Sequence, residues 1–275
     1  MKKLHNFFLY LFIALLLVPG CNVSTKSQPA TAQSTGLFAH TKRADNNEHI
    51  LFGYPGHEKI ILYRKGYVLG YNPDKKNADW VSYHFTEAYC VKNAGRTGDF
   101  RPDPDLPPGQ RAELVDYKNS GYDKGHLAPA ADMARDTQTM SESFLLSNMT
   151  PQVGIGFNRG IWKNLEEKVR SWVHQKKNIY VFTGPIYANS TYKTIGPNRV
   201  AVPAHFYKII VSCTETGENL DSIAFILPNQ KGPGNMLPQF ITSIREIEKR
   251  TGLDFMHDLD DDIENKLETK TAKMW

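Results

Sequence analysis

Two periods run through the chain. Ile60-Ile61-Leu62-Tyr63 and Tyr67-Val68-Leu69-Gly70-Tyr71 are short β-rich runs split by Arg64-Lys65-Gly66, which predicts a hairpin. Asn72-Pro73-Asp74 is turn chemistry. Trp80 to Phe85 reads as a further strand, with His84 on its polar face in a structural role. Ile179 to Thr183, ended by Gly184-Pro185, then Val200 to Val202, His205 to Ser212 and Asp221 to Leu227 read the same way. The helical period is clearest in Asn158 to Lys176. There Ile161, Trp162, Leu165, Val169, Trp172 and Val173 recur at three and four residues and make one apolar face. Glu166 and Arg170, four apart, are neighbours on that helix's surface. Phe240 to Arg250 is a second amphipathic helix with Gly252 as its cap. Met140 to Leu146 reads as a short helix, Gln110 to Asn119 as a short helix or an ordered loop, and Asn93 to Pro108 and Ser147 to Gln152 as loops. Asp258 to Asp262 lacks the central glycine of a calcium loop and reads as the acidic start of a last helix.

The beginning of the chain follows another pattern. Lys2, Lys3 and His5 precede an apolar run from Phe7 to Val18, too short to span a bilayer comfortably and right for a signal peptide, residues 1–20. Leu17-Val18-Pro19-Gly20-Cys21 resembles a bacterial lipobox, which implies lipidation of Cys21; the alternative is an ordinary cleaved signal with Cys21 incidental. Asn22 to Thr35 is rich in Ser, Thr, Gln and Ala and predicts a flexible tether, assigned to residues 21–45, so that the folded domain is 46–275. Such a protein is exported to the periplasm or cell surface and held to a membrane through Cys21. In an oxidising compartment Cys90 and Cys213 could form a disulfide or stay as two buried thiols.

The formal charge is +4, and removing Lys2 and Lys3 leaves 31 Lys+Arg against 29 Asp+Glu. Any footprint for an acidic polymer must then be local. The sequence contains no HExxH, G-x-S-x-G or phosphate-cradling glycine loop, and no cysteine pattern for zinc. The stretch Tyr122-Asp123-Lys124-Gly125-His126-Leu127-Ala128-Pro129-Ala130-Ala131-Asp132 has neither a helical nor a strand period. It sets one histidine in a polar turn, followed along the chain by Asn148, Asn158, Glu166 and Arg170. An imidazole can take a proton near neutral pH. An amide oxygen suits a hard cation that keeps most of its waters. With a few cationic side chains these are the ingredients of phosphodiester hydrolysis.

Three ordered motifs sharpen this: Asp123 to Ala130, Leu146-Ser147-Asn148-Met149-Thr150-Pro151-Gln152, and Asn158-Arg159-Gly160-Ile161-Trp162-Lys163-Asn164-Leu165-Glu166. Together they resemble the DNA/RNA non-specific endonucleases. Similarity continues through Thr183 to Tyr187, Val202 to Lys208 and Ile247 to Gly252. The resemblance implies an α+β, ββα-metal (His-Me finger) fold, with a central, mostly antiparallel sheet flanked by helices. It implies His126 as general base, Asn158 as the direct ligand of Mg²⁺ (Mn²⁺ substituting), and Glu166 as the acid that holds water on that ion. It also implies Arg170 facing phosphate, Asn148 ordering the site, and an upstream arginine at Arg96, with Arg101 the contender. DNA and RNA are the substrates implied, and 5′-phosphorylated ends the products. Where the family's motif has arginine this chain has Lys124, which keeps the charge and loses the planar fork. A second reading is a surface-tethered nucleic-acid-binding protein that has lost turnover. Homodimer formation is left open.

Overall fold

The computed structural model describes residues 47–57, 60–188, 191–214, 219–234 and 236–275. The signal segment, Cys21 and the tether lie outside the described residues. The strands are β1 (Ile60–Tyr63), β2 (Val68–Asn72), β3 (Asn77–Thr86), β4 (Asp123–His126), β5 (Met149–Gln152), β6 (Asn178–Ile186), β7 (Thr194–Ile195), β8 (Val200–Ala201), β9 (His205–Ser212), β10 (Asp221–Pro228) and β11 (Ile241–Thr242). The α-helices are α1 (Leu114–Tyr117), α2 (Thr137–Glu142), α3 (Lys163–Lys176), α4 (Ile244–Thr251) and α5 (Asp261–Glu268).

Seven strands pair in the order β1-β2-β3-β6-β9-β10-β11, each neighbour antiparallel. Side chains alternate across a sheet, so each strand feeds two cores. Ile179 and Val181 of β6, with Phe206 and Ile210 of β9, pack with Leu165, Val169 and Trp172 of α3. Tyr180, Phe182, Tyr207, Ile209 and Val211 belong to the opposite core, closed by Ile244 and Ile247 of α4 and Leu267 of α5. Each large apolar side chain buried this way contributes roughly 1.5–3 kcal/mol. The architecture is therefore α+β, with helices on both faces of the sheet.

Several boundaries differ from the sequence reading, each for a local reason. Strand β6 runs through Gly184 and Pro185, because there it has lost β3 and pairs only with β9; its last β3 pair is Val81 with Thr183. A proline is tolerated where no ladder bond is required of its nitrogen. The helix expected from Asn158 starts at Lys163. Before it, Gly154–Trp162 is an irregular wide turn, with non-helical angles at Ile155, Gly156 and Gly160. Gly156 takes φ 89°, and a Cβ there would sit 2.7 Å from the backbone nitrogen of Gly232. Helix α4 starts at Ile244 rather than Phe240, because the Ser243 side chain accepts from the Glu246 N–H and caps it. The short helix expected over Met140 to Leu146 is α2, which starts earlier, after the Asp136 cap. His84 is structural: its ring stacks on Tyr180 at 4.4 Å and bonds Glu48 at 2.8 Å. Cys90 and Cys213 carry free thiols.

Candidate active site

The stretch expected to be a turn is strand β4, and the loop expected after Ser147 contains its partner β5. Their register pairs Asp123 with Gln152, Lys124 with Pro151, Gly125 with Thr150 and His126 with Met149. Gly125 is required by packing, since a Cβ there would lie 2.1 Å from the Gln152 side-chain carbonyl carbon. Alternation puts Lys124 and His126 on one side of β4 and Asp123 on the other. Asn148 locks the exit of the strand. Its Oδ1 accepts from the Ala128 N–H at 2.9 Å, and its Nδ2 donates to the carbonyls of Ala128 and Ser143 at 3.0 and 2.9 Å. Asn148 is fully buried, so these bonds are made without competition from water.

The His126 ring meets Phe100 at 5.8 Å and Phe144 edge-on at 5.0 Å. Its Nε2 is buried and has no hydrogen-bond partner among the described residues. Burial, and secondarily the Arg96 charge, hold its pKa down at about 3. The ring is neutral at pH 7, as a proton acceptor must be. The Arg96 guanidinium lies 4.9 Å from the centre of Phe144, and the Lys124 Nζ 4.8 Å from that of Phe100. Both cations thus border the aromatic cup around His126. Arg101 is committed elsewhere, bonding Asp99 at 2.8 Å and the Ser141 carbonyl at 3.0 Å. Of the two arginines it is Arg96 that faces the histidine.

On the other side of β4, Asp123 reaches the wide turn. The Asn158 Nδ2 donates to its Oδ2 at 2.9 Å, and the Arg159 Nε lies 3.0 Å from the same oxygen. An ionised carboxylate only accepts, so this bond fixes which end of the amide faces Asp123 and turns Oδ1 away from it. A pinned neutral oxygen beside a carboxylate fits a hard, hydrated divalent ion. The residues present therefore suit the metal that the motifs imply.

Beneath the site lies a charged layer. The Arg170 Nη1 donates to the Asp132 Oδ1 at 2.8 Å, and the Tyr83 hydroxyl to its Oδ2 at 2.9 Å. Lys208 is fully buried with its Nζ 4.6 Å from the centre of the Trp162 ring, and that nitrogen has no hydrogen-bond partner among the described residues. Burial pushes the Glu166 carboxyl up, while the Lys208 charge opposes the shift; burial pushes Lys208 down.

The sequence pattern of DNA/RNA non-specific endonucleases matches residues 45–262. The chain belongs to the DNA/RNA non-specific endonuclease family. It is 41% identical over 233 residues to Nuclease C1 of Cunninghamella echinulata var. echinulata, covering 78% of this chain and 90% of that protein. It is 35% identical over 216 residues to human mitochondrial endonuclease G, covering 74% of this chain and 72% of the relative. Its fold superposes on a solved structure of the EndoG/EndoGI complex with a TM-score of 0.75 at 33% identity, over 84% of this chain and 99% of that one. The ββα-metal core of this endonuclease is β4, β5 and α3, joined by the Asn158 turn.

Within this family core the structure gives Asn148 a concrete task, holding the backbone after His126. It gives Arg170 an ion pair with Asp132 beneath the site. Two residues escaped the sequence reading as members of the site. Asp123, which orients Asn158, carried no signal beyond its place three residues before His126. Lys208 did carry one: a lysine inside the apolar run Phe206-Tyr207-Lys208-Ile209-Ile210 is anomalous unless it is buried against acids.

Proposed function

We propose that this endonuclease is exported, lipid-anchored through Cys21 and Mg²⁺-dependent, and that it cleaves both DNA and RNA with little sequence preference. The observation that carries the reading is a neutral imidazole, His126, on the same short strand as the carboxylate that orients the Asn158 amide. His126 takes the proton from the attacking water. The P–O3′ bond breaks and the leaving O3′ takes a proton from solvent water, giving a 5′-phosphate and a 3′-hydroxyl; His126 then returns its proton to solvent. Lys124 and Arg96 face the charge that builds on the phosphate oxygens, and such contacts read no bases. Asn158 would hold Mg²⁺, or Mn²⁺ in its place, which supplies positive charge to the phosphorane and the leaving oxygen when bound. Glu166 would hold water on that ion, and Arg170 keeps the layer beneath neutral through Asp132. A binding protein without turnover has no use for an unprotonated imidazole set beside an oriented amide.

The test is digestion of plasmid DNA and of RNA with Mg²⁺, with EDTA, and with His126→Ala. Both polymers should be cleaved only with the metal, and the variant should lose about 10²–10⁴-fold in rate. EDTA-resistant cleavage, or an unimpaired variant, overturns the assignment. For location, Cys21→Ser should move the protein from the membrane fraction to the soluble exported fraction and abolish lipid labelling. Retention of the variant in the membrane argues against the anchor.

A further inference from the structure

Three acids meet on the sheet face away from α3. Glu248 is on α4, Asp254 follows that helix, and Glu268 closes α5. One carboxylate oxygen from each lies within 4.8 Å of the other two. The arrangement is built: the Phe255 N–H donates to the Glu248 Oε1 at 2.9 Å, which sets that carboxylate from the backbone. Glu268 is only 3% exposed, far beyond what a glutamate without a partner tolerates. Its Oε2 takes a hydrogen bond from the Arg245 Nη2 at 2.6 Å. Its Oε1 is buried and has no hydrogen-bond partner among the described residues. The Arg245 Nε is 3.6 Å from the Glu248 Oε2, so one guanidinium, reaching in from solvent, serves both glutamates.

If all three are ionised, as a bound cation would require, three carboxylates against one guanidinium leave two negative charges for that cation to balance, in a place where one oxygen is already out of water. Glu264 adds to the same negative field. Burying like charges together is expensive unless a cation sits among them. We propose that Glu248, Asp254 and Glu268 form a second divalent-cation site, for a calcium-sized ion, which ties α4 to α5 on the sheet face opposite α3. Three carboxylate oxygens gathered this closely can converge on one ion, and Ca²⁺ takes several such oxygens at about 2.3–2.6 Å in a flexible geometry. Mg²⁺ is usually held through only one or two carboxylates and keeps several waters, so three converging carboxylates favour Ca²⁺. The competing arrangement is a proton shared by Glu248 and Glu268, since burial and the neighbouring Glu248 raise the Glu268 pKa to about 8.

The experiment is thermal unfolding of the full chain in CaCl₂, matched in ionic strength with NaCl, with Asn158→Ala as background to remove the active-site ligand. At about a hundredfold excess over Kd, Ca²⁺ should raise Tm by roughly 5–10 °C. Adding Asp254→Asn, on an exposed side chain, or Glu268→Gln should abolish the shift. Nuclease activity of the single variant Asp254→Asn at saturating Mg²⁺ should stay unchanged. No Ca²⁺ shift in the Asn158→Ala background, or a shift that survives both acid variants, overturns the site. So does a Glu268→Gln protein that is more stable than its parent under saturating Ca²⁺, which is the shared-proton outcome. The readout is stability rather than cleavage, so it stands whether or not Asn158 holds the catalytic ion.

Discussion

At the scale of single residues, His126 depends on being kept neutral. Burial, helped by the Arg96 charge, sets its folded pKa near 3, below the ordinary 6.5. The unfolded chain therefore takes up this proton first as pH falls. The contribution to stability is present above about 6.5 and is lost progressively towards 3. For His126 as the proposed general base, the same depression keeps the imidazole unprotonated well into acid. The acid limb of kcat/KM at saturating metal should lie below pH 6, and Arg96→Met should move it upward by removing a lowering charge. A limb at 6.5 that ignores the Arg96 substitution would contradict this account. The contrast between Arg96 and Arg101 is also a residue-scale result. Both stand in the same irregular loop, and nothing in their sequence neighbours separates them. Asp99 and the Ser141 carbonyl hold Arg101 and leave Arg96 to the site.

At the scale of elements, the β4–β5 ladder and the turn before α3 carry the site. The sequence reading found the helix but started it five residues early, because Asn158, Ile161 and Trp162 fit a helical spacing. The backbone breaks that helix at Gly160, after an equally non-helical Gly156, which aims the Asn158 amide back at Asp123 rather than along the helix. The ladder itself was illegible. It is four pairs long, with Gly125 and Pro151 interrupting any period-two pattern, and it exists because each strand finds the other. Gly125→Ala tests its tightness. The new methyl must displace Gln152, at a cost of about 1–3 kcal/mol, seen as a lower Tm. Because the shift moves His126, the rate should fall along with stability; wild-type activity in a destabilised Gly125→Ala protein would separate the ladder from catalysis.

At the scale of the whole molecule, the modest net charge directs attention to where the cations stand. Lys124 and Arg96 stand against the Phe100 and Phe144 rings that pack on His126, so substrate binding should be local and salt-sensitive. A plot of log K against log salt for DNA binding, in Ca²⁺ to suppress turnover, should have a negative slope. Lys124→Ala and Arg96→Ala should each reduce that slope by about one. Unchanged slopes would place the phosphate track on another face.

Most of the fold was legible at this scale, because its signals are local. The strands of the large sheet announce themselves by β-branched and aromatic runs, and α3 by its apolar stripe. The motif residues from Asp123 to Glu166 named the chemistry without any coordinates. What required tertiary structure were the relations between segments distant in sequence. Which strands pair, which arginine is free, and which acid orients Asn158 are contacts, and a contact between distant residues leaves no trace in the local order of either. The buried charges make the same point. Lys208 looked out of place in its strand, but only the folded sheet could set it beneath Glu166, since the interaction that tolerates a buried ammonium is made by another part of the chain.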